Sequence, residues 1–183
     1  MSYIIPKGEI TLTDMKKFRH DAEDAAIDRA VDLKVAPSRE QLSVRGFENV
    51  LDAGTATEQW NTAPLLLINT PYSIFTLAVP APTLPANRLA VFYKVGIETV
   101  PVPVSLLTFR TGGFVGNIIA EFDLEQIINS LEMEGFFSQP VVIDPQTLFS
   151  IQVTSRIATL VFARVQLGGL IVEPVGQRIA GGT

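Results

Sequence analysis

From Pro140 to Pro174 the chain reads PVVIDPQTLFSIQVTSRIATLVFARVQLGGLIVEP, apolar runs with no helix-length segment between them. Leu148, Ser150, Gln152 and Thr154 alternate with Phe149, Ile151 and Val153, the period of two of a strand. Thr154-Ser155-Arg156 reads as a break. Leu160, Phe162 and Val165 carry a second apolar run, and Leu170-Ile171-Val172 a third. The Gly168-Gly169 pair between them predicts a bulge or a sharp bend. Strands that follow one another in this way must pair antiparallel or cross between two packed sheets.

The same reading extends upstream. Strands are expected over Leu65–Ile68, Ser73–Val79, Arg88–Ile97, Val100–Phe109, Asn117–Leu124, Val141–Ile143, Leu148–Thr154, Thr159–Gln166 and Leu170–Glu173. Pro- and Gly-bearing connectors punctuate them, among them Pro80-Ala81-Pro82 and Thr111-Gly112-Gly113. Pro101 and Pro103 lack the N–H that a ladder needs, so their strand is expected at a sheet edge. Leu124, Ile127, Ile128 and Leu131 recur at helical spacing before Gly135, which predicts a short helix between strands. The fold class is mainly β, an antiparallel sandwich or barrel of many short strands.

Before the strands, Thr13 or Asp14 can cap a helix running to about Val35. Met15, Phe18, Ala22, Ala25, Ala26 and Ala30 line a thin, alanine-rich apolar stripe on it. Such a stripe buries too little to hold a helix alone, so the helix is expected to dock on the β domain or on a neighbouring subunit. Asp21, Asp24, Asp28 and Asp32 line another face, read as a solvated acidic face; with His20 it could also hold a cation. Ser38 and Gln41 suit a capping box. Residues 1–63 are therefore expected to be an N-terminal arm with a helix over about 13–35, and 64–183 a β-sandwich domain. Trp60, the single tryptophan, either anchors the end of the arm or lines a binding surface.

Charge is scarce and uneven. Asp, Glu, Lys and Arg make up 18% of the chain, below the usual quarter. Of these 33 residues, 17 lie in the first 50 positions. So poorly charged a β region suits either burial against other subunits or a large ordinary core with neutral polar residues outside. The net charge of −5, with no Lys or Arg block, argues against a nucleic-acid partner. MSYIIPKGEI lacks the charged and apolar regions of a signal peptide, and no apolar run is long enough for a membrane span.

Catalytic constellations are few. With one His and no Cys there is no transition-metal ligand set, and no G-x-S-x-G elbow accompanies a serine. The Gly112-Gly113-Phe114-Val115-Gly116 loop lacks the Lys-Ser/Thr of a phosphate loop and reads as a turn. Glu121 and Asp123 share one face of a strand. A pair of acids so placed could serve glycoside hydrolysis or bind Ca²⁺, and is equally what an outward strand face looks like. No catalytic, cofactor or metal residues are assigned, Glu121 and Asp123 being the weak metal candidates, and the chain is read as a non-enzyme.

Two stretches carry a resemblance. Gly46–Pro64, with AGTATEQW before the first strand, and RVQLGGLIVEPVGQRI (Arg164–Ile179), ending on a Glu-Pro-x-Gly turn, resemble small β-rich structural proteins of bacteriophage particles. The resemblance implies a virion protein of the capsid, cement or decoration type with a jelly-roll-like sandwich. It implies self-association (a trimer favoured), contacts with other capsid proteins, and synthesis in a host cytoplasm. On that reading Met15, Phe18, Ala22 and Ala26 belong to an assembly arm. The competing expectation is a carbohydrate- or ligand-binding β-sandwich, with Trp60, Tyr72 or Tyr93 at its surface and Ca²⁺ at Glu121 and Asp123.

Overall fold

The strands nest around one hairpin. A computed structural model describes residues 3–53, 60–74, 82–99, 102–130 and 132–176. β5 (Val104–Thr111) and β6 (Asn117–Asp123) form the central hairpin. Around it β4 (Leu89–Ile97) pairs with β7 (Glu134–Ile143), β3 (Pro71–Ser73) with β8 (Phe149–Ser155), and β2 (Leu42–Gly46) with β9 (Val165–Pro174), all antiparallel. Cross-pairing of β4 with β9 and of β5 with β8 rolls this ribbon into two sheets, ordered β1-β7-β4-β9-β2 and β3-β8-β5-β6. The nested pairs and alternate sheets define a jelly roll. β1 (Ile4–Pro6) adds one edge strand beside β7.

The core fills the space between the sheets. Phe92 from one sheet meets Phe109 from the other at 5.6 Å between ring centroids, and Phe122 stacks on Phe137 at 4.1 Å. The five-stranded sheet is apolar on both faces. Its outer face presents Leu89, Val91, Leu170 and Val172, all buried. Helix α1 (Leu12–Asp32) covers it with Ala22, Ala26 and Ala30, so the helix docks on its own sheet. Alanine suits this contact because it lets the helix axis approach the pleated surface closely. Phe18 stacks on Phe136 at 5.3 Å.

The helix begins and ends away from its expected limits. Thr11, not Thr13 or Asp14, is the cap: its Oγ1 accepts from the Asp14 N–H while Asp14 bonds back to Thr11. Asp14 is thus the other half of a capping box. At the far end Lys34 takes φ 58°, and the Lys34 and Val35 N–H groups return to Val31 and Ala30 carbonyls. This turn stops the helix before Val35. Ser38 makes no side-chain cap; a 3-10 turn, Arg39–Gln41, follows it.

Several strand expectations are corrected. Leu65–Ile68 is not a strand, and the arm holds a second short helix, α2 (Asn49–Ala53), besides the expected one. The strand with Pro103 lies inside its sheet, between β8 and β6. It can do so because Pro103 precedes β5 and contributes only a carbonyl, to the Arg156 N–H. Pro101, Leu131, residues 75–79 of the Ser73–Val79 strand, residues 54–59 of Gly46–Pro64 and residues 177–179 of Arg164–Ile179 lie outside the described residues. The helix expected before Gly135 shrinks to α3 (Glu125–Ile128), because Gly135 is claimed by β7 and pairs with Pro6 and Val95. A Cβ there would clash with Ile4 and Ile127.

β9 runs unbroken through Gly168-Gly169; it takes in the expected strand Leu170–Glu173 but only Val165 and Gln166 of the expected Thr159–Gln166, whose residues 159–163 are not strand. The bulge lies opposite, on β4, where Tyr93 is the extra residue between Phe92 and Lys94. The glycines make room for it: a Cβ on Gly168 would lie 2.8 Å from the Lys94 Cβ, and one on Gly169 2.8 Å from the Phe92 ring.

Candidate interaction surface

The connection from β2 to β3 crosses one end of the sandwich beside the connection from β8 to β9. Trp60 pins it: only 7% exposed, its ring lies 5.6 Å from Phe47 and 6.1 Å from Phe92. Thr62 exchanges two bonds with Ala163, and Leu65 inserts fully into the core. The Leu65 N–H donates to Val161, and the Thr159 N–H to Leu65. Asn69, at φ 53°, donates to Ser155, whose buried hydroxyl is held by the Leu67 and Thr70 carbonyls.

Laced together, the two segments turn their remaining apolar side chains outward. Leu66, Leu67, Ile68, Ile157, Leu160, Val161 and Phe162 are all exposed, Leu160 to 83%. Exposed apolar residues are ordinary when scattered; seven on two hydrogen-bonded segments form a patch of the kind that marks an interaction site. Arg156 and Arg164 flank it. Arg156 makes an exposed ion pair with Glu125 at 3.5 Å, and the Arg164 guanidinium lies over the Phe162 ring.

A second apolar surface surrounds β6. Among the described residues this strand is an edge, paired with β5 alone. Ile118 and Ile119 are both exposed because a register shift at Phe109/Arg110 makes Ile119 the unpaired residue. The turn before them, with Gly112 and Gly113 at φ 87° and 83°, is held down by Ser150, Gln152 and Arg110. It lifts Phe114 and Val115 to the surface, Val115 to 95% exposure.

Glu121 and Asp123 lie exposed on this same strand. Thr108 donates to Glu121 at 3.4 Å, and Asp123 accepts the Glu125 N–H, starting α3. Among the described residues no group of three or more His, Cys, Asp or Glu could hold a metal ion. His20 reaches Asp24 at 3.5 Å, while Arg39 pairs with Asp24 and Asp28, so the acidic face of α1 is met by an arginine.

The buried charges form a closed set. Arg45 on β2, Asp52 on α2, Arg88 before β4 and Glu173 on β9 meet at the rim of the sandwich, two cations against two anions. Arg45 binds Asp52 through two bonds of 2.6 and 2.7 Å and Glu173 at 3.1 Å. Arg88 reaches Glu173 at 2.8 Å and Asp52 at 3.7 Å. Hydrogen bonding to Asp52 holds the Arg45 guanidinium above its ordinary range. Each charge faces opposite charges, so the set ties α2 and β2 to the sandwich.

The residues read as a surface or an arm are mostly inside. Ala22 and Ala26 are covered by the chain's own sheet, and Met15 and Phe18 are half-buried. Tyr93 packs near Phe136 under the helix, where burial pushes its hydroxyl up, and the Tyr72 hydroxyl accepts the Leu67 N–H. Sequence reasoning missed the exposed patch. LLLI at 65–68 and RIATLVF at 156–162 are short apolar runs, which period alone cannot separate from buried strands. No helix of the described residues is long and apolar enough to cross a membrane.

No protein-family model matches the chain, and no curated protein is significantly similar to it.

Proposed function

We propose that this chain is a non-enzymatic structural protein of a bacteriophage particle, a capsid or capsid-decorating (cement) protein. It acts by associating with its own copies, as a trimer, and with the other proteins of the shell. The observation that carries this reading is the seven-residue apolar surface at the end of the sandwich, on a chain with 16 charged residues in positions 51–183. A side chain placed in water on a rigid, hydrogen-bonded loop gains most when a partner covers it.

The jelly roll is compatible with this role, since viral shells use it, as do lectins and cupins. A fold does not assign a function, so the surface has to. For a carbohydrate site, aromatic faces would have to be open to a sugar. Trp60 is in the core and Tyr93 lies under α1, which favours the assembly reading.

Light scattering of the purified chain over a wide concentration range tests it, together with co-sedimentation with empty phage heads. A trimeric mass, or added mass on the heads, is expected. A chain that remains monomeric and adds nothing to the heads overturns it.

A further inference from the structure

We infer that the contact between copies is heterologous: the apolar end of one copy covers the β6 edge of the next. The inference rests on the self-association proposed above and specifies its geometry. The chain carries two separate apolar surfaces of opposite electrostatic character. At the sandwich end, Arg164 follows the exposed segment that carries Leu160 and lies over Phe162, while Arg156 before it shares its charge with Glu125; neither exposed segment contains an acid. Along β6, Val115 and Ile118 stand beside Glu121 and Asp123, with no Lys or Arg in the strand.

Charge decides the pairing. Apposing two copies of the sandwich end would bring Arg164 toward Arg164, and apposing two β6 edges would bring carboxylates toward carboxylates. Apposing one of each brings arginines to carboxylates and apolar side chains to apolar side chains. Exposed ion pairs of this kind add little affinity, but they orient partners and disfavour the wrong register. The β6 edge favours the same occupant. It holds neither proline nor lysine, the usual guards of a free edge, and among the described residues no strand pairs with its outer side. A contact between two different surfaces closes into a ring when its rotation allows, a trimer among the possible rings.

The test uses two double variants, each changing only exposed residues. Leu67→Asp with Leu160→Asp disables the sandwich end; Val115→Asp with Ile118→Asp disables the β6 edge. Both must retain the wild-type melting temperature and circular dichroism; if one does not, Leu160→Asp or Val115→Asp alone, at the most exposed position of its surface, replaces it. Sedimentation velocity of the full chain then gives the masses. The wild type is expected as an oligomer and each variant as a monomer. An equimolar mixture of the two variants is expected to form a dimer and nothing larger, since it contains one intact copy of the contact. A wild-type chain that is itself monomeric overturns both this inference and the self-association beneath it. A wild-type oligomer whose mass survives disabling the β6 edge overturns the inference alone. Two monomeric variants whose mixture stays monomeric also overturn it alone, pointing to like surfaces meeting like.

Discussion

The guanidinium of Arg45 and the carboxylate of Asp52 meet end on, Nη1 and Nη2 each donating to one oxygen at 2.7 and 2.6 Å, with the Asp52 side chain wholly buried. The same carboxylate accepts the Glu48 N–H. Removing one partner of a buried pair strands the other charge away from water, at a cost of about 3–5 kcal/mol. Asp52→Ala is therefore expected to lower the urea midpoint sharply with an unchanged denaturant slope. Arg45→Met combined with Asp52→Leu is expected to recover most of the loss, because no lone charge remains. Equal midpoints for Asp52→Ala and wild type would show that the pair contributes nothing to stability.

Gly168 and Gly8 differ in what surrounds them. A Cβ on Gly168 would lie 2.8 Å from the Lys94 Cβ, while one on Gly8 meets nothing within 4 Å. Gly168→Ala should cost about 1–3 kcal/mol, as overpacking does, and Gly8→Ala should be neutral within roughly 0.5 kcal/mol. Thermal unfolding of the two variants side by side makes the comparison, and a neutral Gly168→Ala would refute the close packing of β9 on the β4 bulge.

Lys34 holds a left-handed conformation, φ 58°, at the end of α1. A side chain there is strained where glycine is not. Lys34→Gly is expected to raise stability by up to about 1 kcal/mol, although glycine elsewhere in a helix lowers it. The melting temperature reads this directly; a drop would mean that the lysine side chain matters more than the backbone strain.

Glu134 sits between Lys7, at 3.0 Å, and Lys94, at 3.1 Å. Burial alone would push its carboxyl up, but hydrogen bonds from Lys7 and Lys94 outweigh this and hold it below its ordinary 4.5. A carboxyl with a lowered folded-state pKa adds stability that is fully present above the unfolded value. That stability disappears as pH falls through the folded value. Glu134→Gln should therefore be less stable than wild type at pH 7, with the gap closing below about pH 4.5. Urea titrations across this range measure it; a gap constant with pH would assign the loss to packing.

How much was legible depended on what each residue answers to. The alternation of Phe149, Ile151 and Val153 reports directly on one buried face, and β8 appears where it predicts. Leu65 and Leu66 look alike in the sequence, yet Leu65 is in the core and Leu66 in water. Their separation is set by backbone bonds to Thr159 and Val161, some 95 residues away, which no local pattern records. Gly135 could stop a helix or admit Ile4 to a sheet, and only the β1 pairing decides between them. The exposed surfaces were illegible for the same reason. An apolar run states that burial is favourable, without stating whether the chain or another copy supplies the cover.

β2 has one partner in its sheet, and that partner is β9: Arg45 and Glu173 are separated by 128 residues. Most of the pairings between them are nested in the same way, so the ladder that seats the N-terminal segment closes last. Such a topology has a high contact order and folds slowly. On a ribosome, β2 and the edge of β4 that faces β9 have no mate until Val165–Pro174 has been made. Through that interval the strand edges that will meet β9 remain unpaired, and a helper that binds extended chain would raise the yield of folded protein.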